Sequence, residues 1–428
     1  MTDRESLKLT PYWTDPLPDT PSYTNRPLAS KTDALVIGGG YTGMVAALRL
    51  RQHGLSVTLV EKERMGWGAS SRNGGMALPG AKFSILSLVK MFGRQKALEY
   101  FASTVESVDC VANLVAEGNL DCDFNRSGHL AAAAKPAHFE MLQRNYDFLA
   151  EHLNYTTRLL PPADMSTEIG SEFYHGGIVD SHGAGLDPAK YIAGLTGMAD
   201  AAGVDLRDGL AATRIERAGG RFTVTTTGGA TQADLVLVAT NGYTGAATPW
   251  LQRRIIPIGS YIIATEPLPP DVARALIPNR RMIYDTKNFL FYFRLSPDGR
   301  RLLFGGRAKF TTTTLQESAR LMHRSMLAVY PQLKDCRLEY AWSGNLGFTF
   351  DRFPHLGRHE GIFYALGYCG HGVAWGTCLG EKAARLMLGG DDHSLYTQKE
   401  FITVPFYRDK PWFLPLAQLY FKTLDIIG

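Results

Sequence analysis

The stretch of sequence that decides the fold is residues 33–62, which begins Asp-Ala-Leu-Val-Ile-Gly-Gly-Gly-Tyr-Thr-Gly-Met. Residues 34–37 form an apolar run of the length typical of a buried parallel strand. Gly38, Gly40 and Gly43 follow with G-x-G-x-x-G spacing. In such a turn the first glycine allows a sharp change of direction, the second lets a pyrophosphate approach the backbone, and the third lets the next helix pack close to the strand. The pattern predicts a dinucleotide-binding βαβ unit.

The rest of this stretch completes the unit. A helix is predicted from Met44 to His53, where Gly54 ends it, and its N-terminal amides point toward the phosphate. Residues 57–60 form a second apolar strand, and Glu61 stands where its carboxylate can accept hydrogen bonds from an adenosine ribose. The alternative is a glycine turn in an ordinary βαβ unit. Besides the three glycines, the residues assigned to the cofactor here are Tyr41, Thr42, Glu61 and Lys62.

Composition and charge narrow the class of protein. A chain of 428 residues is too long for one compact core and indicates about two domains. Hydrophobic residues make up 45% and charged residues 20%, as in soluble globular proteins, and a net charge of +4 without a long basic run argues against nucleic acid as a partner. Five scattered cysteines without C-x-x-C spacing predict a reduced, cytoplasmic chain without a metal site. No apolar run approaches the about 20 residues of a membrane span.

A second glycine-rich segment, Trp-Gly-Ala-Ser-Ser-Arg-Asn-Gly-Gly, occupies residues 67–75. Two serines, an asparagine and paired glycines so close together are atypical of a helix or strand interior. They predict a loop whose backbone cradles the cofactor, with Ser70 or Ser71 capping a short helix. The residues assigned to this cradle are Gly68, Ala69, Ser70, Ser71, Arg72, Asn73, Gly74 and Gly75.

A third glycine turn lies near the C-terminus and narrows the choice of cofactor. A strand at 362–366, the turn Gly-Tyr-Cys-Gly-His-Gly at 367–372 and a helix at 373–388 follow one another. The N-terminus of that helix suits the N1–C2=O edge of a flavin, where negative charge develops on reduction, although a simple turn before a packed helix has the same pattern. The combination favours FAD. The residues assigned to it are Gly370, His371, Gly372 and Val373, with Thr240, Asn241 and Gly242 after the apolar strand 233–239.

The remaining segments have clear periodicities. Apolar spacing of three to four predicts helices at 95–117, 138–152, 188–202 and 315–330. Alternation predicts strands at 211–217 and 221–227 and a separate antiparallel sheet at 258–265, 282–285, 289–295 and 301–304. Residues 1–30 are expected to form an extended surface arm. The apolar tail, residues 412–427, could lie on a membrane, on a partner subunit or on its own protein, and its lack of a basic face favours the last.

Taken together, these segments resemble the glycine oxidase/D-amino-acid oxidase superfamily of FAD-dependent oxidoreductases, and within it the gamma-glutamylputrescine oxidase branch. The resemblance spans nearly the whole chain. It rests on Tyr12-Trp13 and on residues 36–43, 66–75, 185–188, 239–243, 303–307, 342–344, 351 and 370–373. Ser71 and Cys369 depart from the pattern, which has Gly and Ser there, and both lie in the expected flavin cradle.

The resemblance implies an α/β fold, α+β overall, in which a Rossmann-like FAD-binding domain with the βαβ site is interrupted by a substrate domain with an antiparallel sheet and helices. We expect the FAD-binding domain at 1–85, 175–250 and 345–428 and the substrate-binding domain at 86–174 and 251–344. The implied reaction oxidises the C–N bond of a small amine or amino acid by hydride transfer to flavin N5. The imine then hydrolyses, and O2 or another acceptor reoxidises the flavin. Asn73 in the cradle and the absence of Cys from 343–350 favour noncovalent FAD.

Substrate residues are expected on the second sheet. Tyr292 and Arg294 are two residues apart, so one strand face presents a phenol and a guanidinium, and an arginine fork suits a substrate carboxylate. The alternative is that both face solvent or brace the domain interface. Arg307 is the other arginine candidate, unless it pairs with Asp285 or Asp351.

Further candidates surround the expected flavin ring. His371 would polarise flavin or substrate, or supply positive charge for the reaction with oxygen, unless it only binds backbone; Lys287 is another possible cation. Tyr284, Trp342 and Tyr368 are candidates for an aromatic cage around an amine, although such rings are usually core. Rival functions are a dehydrogenase that passes electrons to a quinone or carrier protein, and a flavin-binding module without turnover. An oligomer is compatible with the sequence.

Overall fold

The computed structural model describes residues 7–15, 21–24, 27–307, 314–408 and 410–427. In these residues the chain forms two eight-stranded sheets, a two-stranded ribbon and a set of helices that pack against the sheets.

In chain order the strands are β1 Lys31–Ile37, β2 Val57–Val60, β3 Met76–Ala77, β4 His129–Ala132, β5 Arg158–Leu160, β6 Gly177–Asp180, β7 Ala184–Gly185, β8 Asp205–Arg207, β9 Ala212–Ala218, β10 Arg221–Thr226, β11 Gly229–Val238, β12 Ile256–Thr265, β13 Met282–Asp285, β14 Phe291–Leu295, β15 Leu302–Gly306, β16 Leu338–Phe348, β17 His355–His359 and β18 Ile362–Leu366. The α-helices are α1 Tyr41–Gln52, α2 Ile85–Phe92, α3 Arg94–Glu117, α4 Pro136–Leu153, α5 Pro188–Ala201, α6 Pro249–Gln252, α7 Pro270–Leu276, α8 Leu315–Val329, α9 Gly372–Met387, α10 Leu395–Gln398 and α11 Leu414–Ile427.

The first sheet has the order β17-β18-β11-β1-β2-β8, with β9 and β10 attached to β11. Its central strand, β1, lies parallel to both β2 and β11, and Leu35 is paired with Thr58 on one side and Val236 on the other. This confirms the expected βαβ unit and the place of the apolar strand 233–239 beside it. Because β1, β2, β11 and β18 run in one direction, their carboxyl ends meet at one edge, where ligands of open α/β sheets bind.

The second sheet has the order β16-β12-β15-β14-β13-β4-β6-β5 and is antiparallel except where β13 meets β4. The four strands expected here are present, and Gly299, at φ +73°, closes the hairpin between β14 and β15. Four further strands, β4, β5, β6 and β16, were not predicted. The first three strands have three or four residues, which is too few for a periodic signal. In β16, the glycines at 344 and 347 are typical of a loop, so the sequence did not indicate a strand.

The chain passes from one sheet to the other at positions that differ from the expected domain boundaries. Strand β6 belongs to the second sheet, although residues 175–250 were assigned to the FAD-binding domain. Residues 345–348, at the end of β16, also pair in the second sheet. A division after Asp180, rather than at 175, therefore follows the strand pairing, and we propose it as the boundary.

The described part of the N-terminal arm is largely exposed, as expected of a surface arm, but it is anchored to the protein at two points. Lys8 forms backbone hydrogen bonds with residues on either side of Tyr340, in β16. Trp13 is fully buried beside Trp342, and its indole Nε1 donates to the carbonyl oxygen of Asn73 over 2.8 Å. Burial of this large aromatic ring with a satisfied N–H anchors the arm. The arm residues 1–6, 16–20 and 25–26 lie outside the described residues.

The apolar tail forms helix α11, and one side of it packs on the protein. Leu414 is buried in a cluster with Tyr407 and Phe348. Near the other end of the helix, the Asp425 carboxylate accepts hydrogen bonds from the backbone amides of Asn288 and Phe289 over 2.8 and 3.0 Å. No helix in the described part of the chain is long and apolar enough to cross a bilayer.

Candidate active site

A cavity of ≈ 1090 Å³ runs from the carboxyl edge of the first sheet to the inner face of the second. The cofactor candidates that line it are Gly38, Gly40, Tyr41, Thr42, Glu61, Lys62, Gly68, Ala69, Ser70, Arg72, Asn73, Gly74, Thr240, Asn241, Gly242, Gly370, His371, Gly372 and Val373. The three glycine-rich segments, which are far apart in sequence, therefore meet around one space.

The N-terminal glycine turn is built for close approach. A Cβ on Gly43 would overlap the carbonyl oxygen of Gly38, so this position behind the wall needs glycine for the helix to pack against the turn. A Cβ on Gly40 would lie 2.9 Å from Ser70 Oγ. The carboxylate of Glu61 lines the cavity and accepts a hydrogen bond from the amide of Gly39 over 2.7 Å, which holds the acid at the edge of the turn.

The cradle loop is held by Asn73. Its amide nitrogen donates to the carbonyls of Ala69 and Ser70, both over 3.0 Å, and its side-chain oxygen accepts from the amide of Gly75 over 2.7 Å. The predicted cap is corrected: Ser70 Oγ accepts a hydrogen bond from the amide of Tyr41 over 3.1 Å, so it caps α1 and not its own short helix. Ser71 and Gly75 lie behind the wall and do not line the cavity.

The C-terminal turn is joined to the first glycine turn through side chains. The hydroxyls of Tyr368 and Thr42 lie 2.6 Å apart. Asn241 accepts a hydrogen bond from the amide of Gly367 over 2.9 Å and so ties the end of β11 to the same turn. Gly370, at φ +101°, then brings the chain round to the N-terminus of α9.

These features fit a dinucleotide. The cradle is lined by glycines at which a side chain would collide with neighbouring atoms, two helix N-termini face the cavity, and an acid stands at the end of β2. His371 lines the space beside α9, and burial, with the charge of Lys82 second, lowers the pKa of its imidazole to about 3. This shift favours the neutral form of the imidazole in the cavity, and the positive charge expected at His371 stays a prediction.

The second sheet forms the opposite wall. Tyr292 packs over Gly74 and Gly305, and its hydroxyl lies 2.8 Å from Ser260 Oγ; burial raises the pKa of its phenol to about 12. Tyr284 lines the same wall and stacks on the ring of His129. Tyr368 lines the cavity from the glycine turn.

Two of the predicted substrate residues do not line the cavity. Arg294 lies beneath its floor, where its guanidinium donates to the carbonyls of Gly75 and Leu186 over 2.6 and 3.0 Å. Of the two readings kept open for it, the structure supports bracing. Trp342 is buried in a core cluster and donates to the carbonyl of Arg72 over 2.8 Å. Both side chains donate to backbone carbonyls of the cradle loop, and the substrate wall is formed by other residues of the second sheet.

Arg307 does reach the cavity, and it has an unpredicted neighbour, Lys82. The Arg307 guanidinium lies 4.7 Å from the ring centre of Phe348, and the Lys82 ammonium lies 5.8 Å from the same ring. Burial lowers the pKa of Arg307 to about 10. Burial and then the charge of Arg307 lower the pKa of Lys82 to about 8. No sequence motif marks Lys82, which follows Pro-Gly-Ala in a loop before α2.

The two carboxylates considered as partners of Arg307 form ion pairs with other groups. Asp285 lies 3.1 Å from the ammonium of Lys287, and burial raises the pKa of its carboxyl to about 6. Asp351 lies 3.2 Å from His355 and 3.5 Å from Lys399. Lys287, considered as another possible cation near the flavin, forms this ion pair with Asp285 at the cavity wall.

One group of possible metal ligands lies elsewhere in the described residues. Glu106, Cys110 and Cys378 bring their ligand atoms within 4.8 Å of one another, on α3 and α9. Lys382 lies 3.1 Å from Glu106 and already neutralises its carboxylate. The five cysteines are free thiols.

Comparison with known proteins agrees with this architecture. Residues 33–386 match the family described as FAD dependent oxidoreductase. A probable oxidoreductase OrdL of Rhizobium meliloti is 33% identical over 382 residues, which are 87% of each chain. Gamma-glutamylputrescine oxidoreductase of Escherichia coli is 32% identical over 359 residues, 83% of this chain and 84% of that protein. The crystal structure of glycine oxidase from Geobacillus kaustophilus has a TM-score of 0.72 at 20% identity and covers 88% of this chain and 99% of that one. The chain is therefore an enzyme of the DAO family of FAD-dependent oxidoreductases.

Proposed function

We propose that this enzyme oxidises the C–N bond of a small amine or amino acid that carries a carboxylate at one end, with noncovalent FAD as cofactor and O2 as electron acceptor in the cytoplasm. The observation that carries the proposal is the pair of cations, Lys82 and Arg307, which flank Phe348 inside the cavity. Sarcosine-like and gamma-glutamyl-polyamine-like compounds both have the required groups.

The pair of cations lies between the C-terminal glycine turn and the substrate wall. A Cβ on Gly370, in the turn that begins α9, would lie 3.6 Å from the ammonium of Lys82. Arg307 follows β15, whose Gly305 packs against Tyr292 on the substrate wall. An anionic group bound by both cations would be held between the glycine turn and the second sheet, and an arginine fork offers two parallel hydrogen bonds to a carboxylate.

The same cations favour the reactive form of the substrate. A C–H next to nitrogen is lost as hydride from a neutral amine, because the nitrogen lone pair must stabilise the carbon that is left. Positive charges close to a bound amine disfavour its ammonium form. Lys82 and Arg307 would therefore promote loss of the amine proton as well as bind the acid group. The neutral ring of His371 lines the same space and can hold the N–H by a hydrogen bond.

FAD, when bound, accepts the hydride and passes the electrons on. The chain's own contribution is positioning. Tyr292 and Tyr284 form an aromatic wall whose phenols stay protonated, because burial raises the pKa of both. Phe413, Leu414 and Phe421 of the tail segment also line the cavity and add apolar surface to it.

A dehydrogenase that passes electrons to a lipid-soluble quinone is the second candidate. The observation that favours it is the exposed apolar surface of α11, next to the cavity.

The test is an anaerobic absorbance titration of the FAD-loaded enzyme with gamma-glutamylputrescine, putrescine, sarcosine, glycine and D-amino acids, followed by admission of air. We expect loss of the flavin band near ~450 nm with a compound that bears a carboxylate, and recovery of the band in air. Bleaching by putrescine alone would contradict the anionic site. A flavin that stays reduced in air but is reoxidised by a quinone would favour the dehydrogenase.

A further inference from the structure

Helix α11 and the residues before it present a continuous apolar stripe to solvent. Trp412, Leu416, Leu419 and Tyr420 are exposed to 59%, 68%, 67% and 60%, and Leu424 continues the row at 39%. The spacing of three, one and four residues places Leu416, Leu419, Tyr420 and Leu424 on one face of α11, and Trp412 lies in the turn before the helix. Exposed apolar patches of this kind mark contact sites on soluble proteins.

The opposite face is fixed on the protein. Leu414, Ala417 and Phe421 line the cavity, and the Asp425 carboxylate is held by the 288–289 backbone and by the side-chain amide of Asn288 over 2.9 Å. One face of the helix therefore packs on the protein, and the other faces solvent. Its apolar stripe cannot turn inward unless it gives up the cavity wall.

The chemistry of the stripe fits a lipid bilayer. Tryptophan and tyrosine combine an apolar ring with a polar tip and prefer the boundary between lipid tails and headgroups. The segment just before the stripe contains the exposed Arg408 and Lys410 with Asp409 between them in sequence, a net charge of +1, and basic groups are attracted to anionic headgroups. Asp425, the acid within α11, is turned toward the 288–289 loop and does not oppose this attraction.

The area of the stripe disfavours a second copy of the chain as the occupant. Five large side chains that are 39–68% exposed offer on the order of 500 Å². A standard protein interface buries about 800 Å² on each partner. An amphipathic helix lying in a membrane surface has no such requirement, because it inserts its apolar face among lipid chains.

We propose that the stripe formed by Trp412, Leu416, Leu419, Tyr420 and Leu424 docks the enzyme on an anionic lipid bilayer, with α11 lying in the plane of the interface. The cavity wall formed by the inner face of α11 then lies directly above the bilayer. A substrate or electron acceptor dissolved in the membrane surface would reach the cavity along this helix.

The experiment is co-sedimentation of the FAD-loaded full chain with vesicles of phosphatidylcholine, with and without phosphatidylglycerol. The test variant is L416S/L419S/Y420S, and the control is L86S/M91S, which removes two exposed apolar side chains from α2 instead. We expect the wild-type chain and the control to sediment with anionic vesicles, the triple variant to bind about tenfold less, and added salt to weaken binding. The flavin absorbance of the triple variant verifies its fold.

Other outcomes would overturn the proposal. A wild-type chain that stays in the supernatant with both vesicles does not dock on lipid. Equal sedimentation of the triple variant places the contact elsewhere. If light scattering shows a dimer that the triple substitution dissociates, and vesicles bind neither form, the stripe is a contact between two copies of the chain.

Discussion

The hydroxyl groups of Thr42 and Tyr368 lie 2.6 Å apart, although 326 residues separate them in sequence. Thr42 belongs to the first turn of α1, and Tyr368 to the turn that precedes α9. The Tyr368 hydroxyl also donates to the carbonyl of Ala365 over 2.8 Å, so Thr42 supplies the proton of the shared bond. This contact sets the distance between the two glycine turns that a stretched dinucleotide must span.

Tyr368→Phe should therefore weaken FAD binding more than it weakens the fold. The variant loses two hydrogen bonds, and the one to Thr42 is the bond that joins the two turns; loss of one hydrogen bond between neutral groups costs about 1 kcal/mol, which is roughly a fivefold increase in the dissociation constant. Fluorescence titration of the apoprotein with FAD measures the change. Tyr364→Phe is the control, because Tyr364 lies in β18, the strand that leads into this turn, but does not line the cavity. Equal losses in both variants would mean that the effect is one of general stability.

Gly43→Ala should prevent formation of the nucleotide site. The new methyl group would overlap the carbonyl oxygen of Gly38 and push α1 away from the turn. Gly197→Ala in α5 is the matched control, since a Cβ there meets no atom within 4 Å and alanine favours a helix by about 1 kcal/mol. Purified Gly43→Ala is expected without bound flavin and with a lower melting temperature, and Gly197→Ala with full flavin content. Flavin-replete Gly43→Ala would refute the close packing.

Acid precipitation should release the whole flavin into the supernatant. The reason is chemical: Cys369, the cysteine in the C-terminal turn, is buried and directs its thiol to the carbonyl of Gly367 over 3.2 Å, away from the cavity lining. The absorbance of supernatant and pellet measures the partition. Flavin retained by the pellet would reveal a covalent bond.

The sequence was sufficient for elements whose signal is local. The turn at Gly38–Gly43, the strand beside it and the cradle at Asn73 each combine special residues with a periodic neighbour, and all three meet at the cavity. The side chains of β14 show what local sequence patterns cannot predict. Tyr292 and Arg294 do share a strand, but one reaches the cavity and the other is drawn to the carbonyl of Gly75, a partner 219 residues away. Lys82 was missed because only its position beside Arg307 makes it a candidate for binding an anion. Arg307 follows β15 of the second sheet, far from Lys82 in sequence.

Arg294→Met tests whether this arginine supports the fold or binds substrate. The buried carbonyl of Leu186 would lose its side-chain donor, and that of Gly75 would keep only the amide of Leu186, which costs about 2–4 kcal/mol of the free energy of unfolding. Urea unfolding of the FAD-loaded enzyme measures this loss. Arg300→Met, at an exposed position in the hairpin, should unfold like the wild-type chain. A raised KM with unchanged unfolding would instead assign Arg294 to substrate binding.

The pH dependence of KM should identify Lys82 as a substrate-binding cation. Burial and Arg307 lower the pKa of its ammonium to about 8, so the positive charge is present below pH 8 and is lost as the pH rises through that value. A carboxylate substrate should then bind more weakly above pH 8, and KM should rise while kcat stays nearly constant.

Two variants separate this explanation from titration of the substrate amine. Lys82→Met removes the charge at every pH, and since a hydrogen bond to a charged group contributes about 1.5–3 kcal/mol, KM should increase roughly 10- to 100-fold and lose its rise above pH 8. Lys82→Arg keeps the charge to higher pH, so its KM should stay low across the same range. If both variants retain the wild-type pH profile, the titrating group is the substrate, and Arg307 binds the acid group without Lys82.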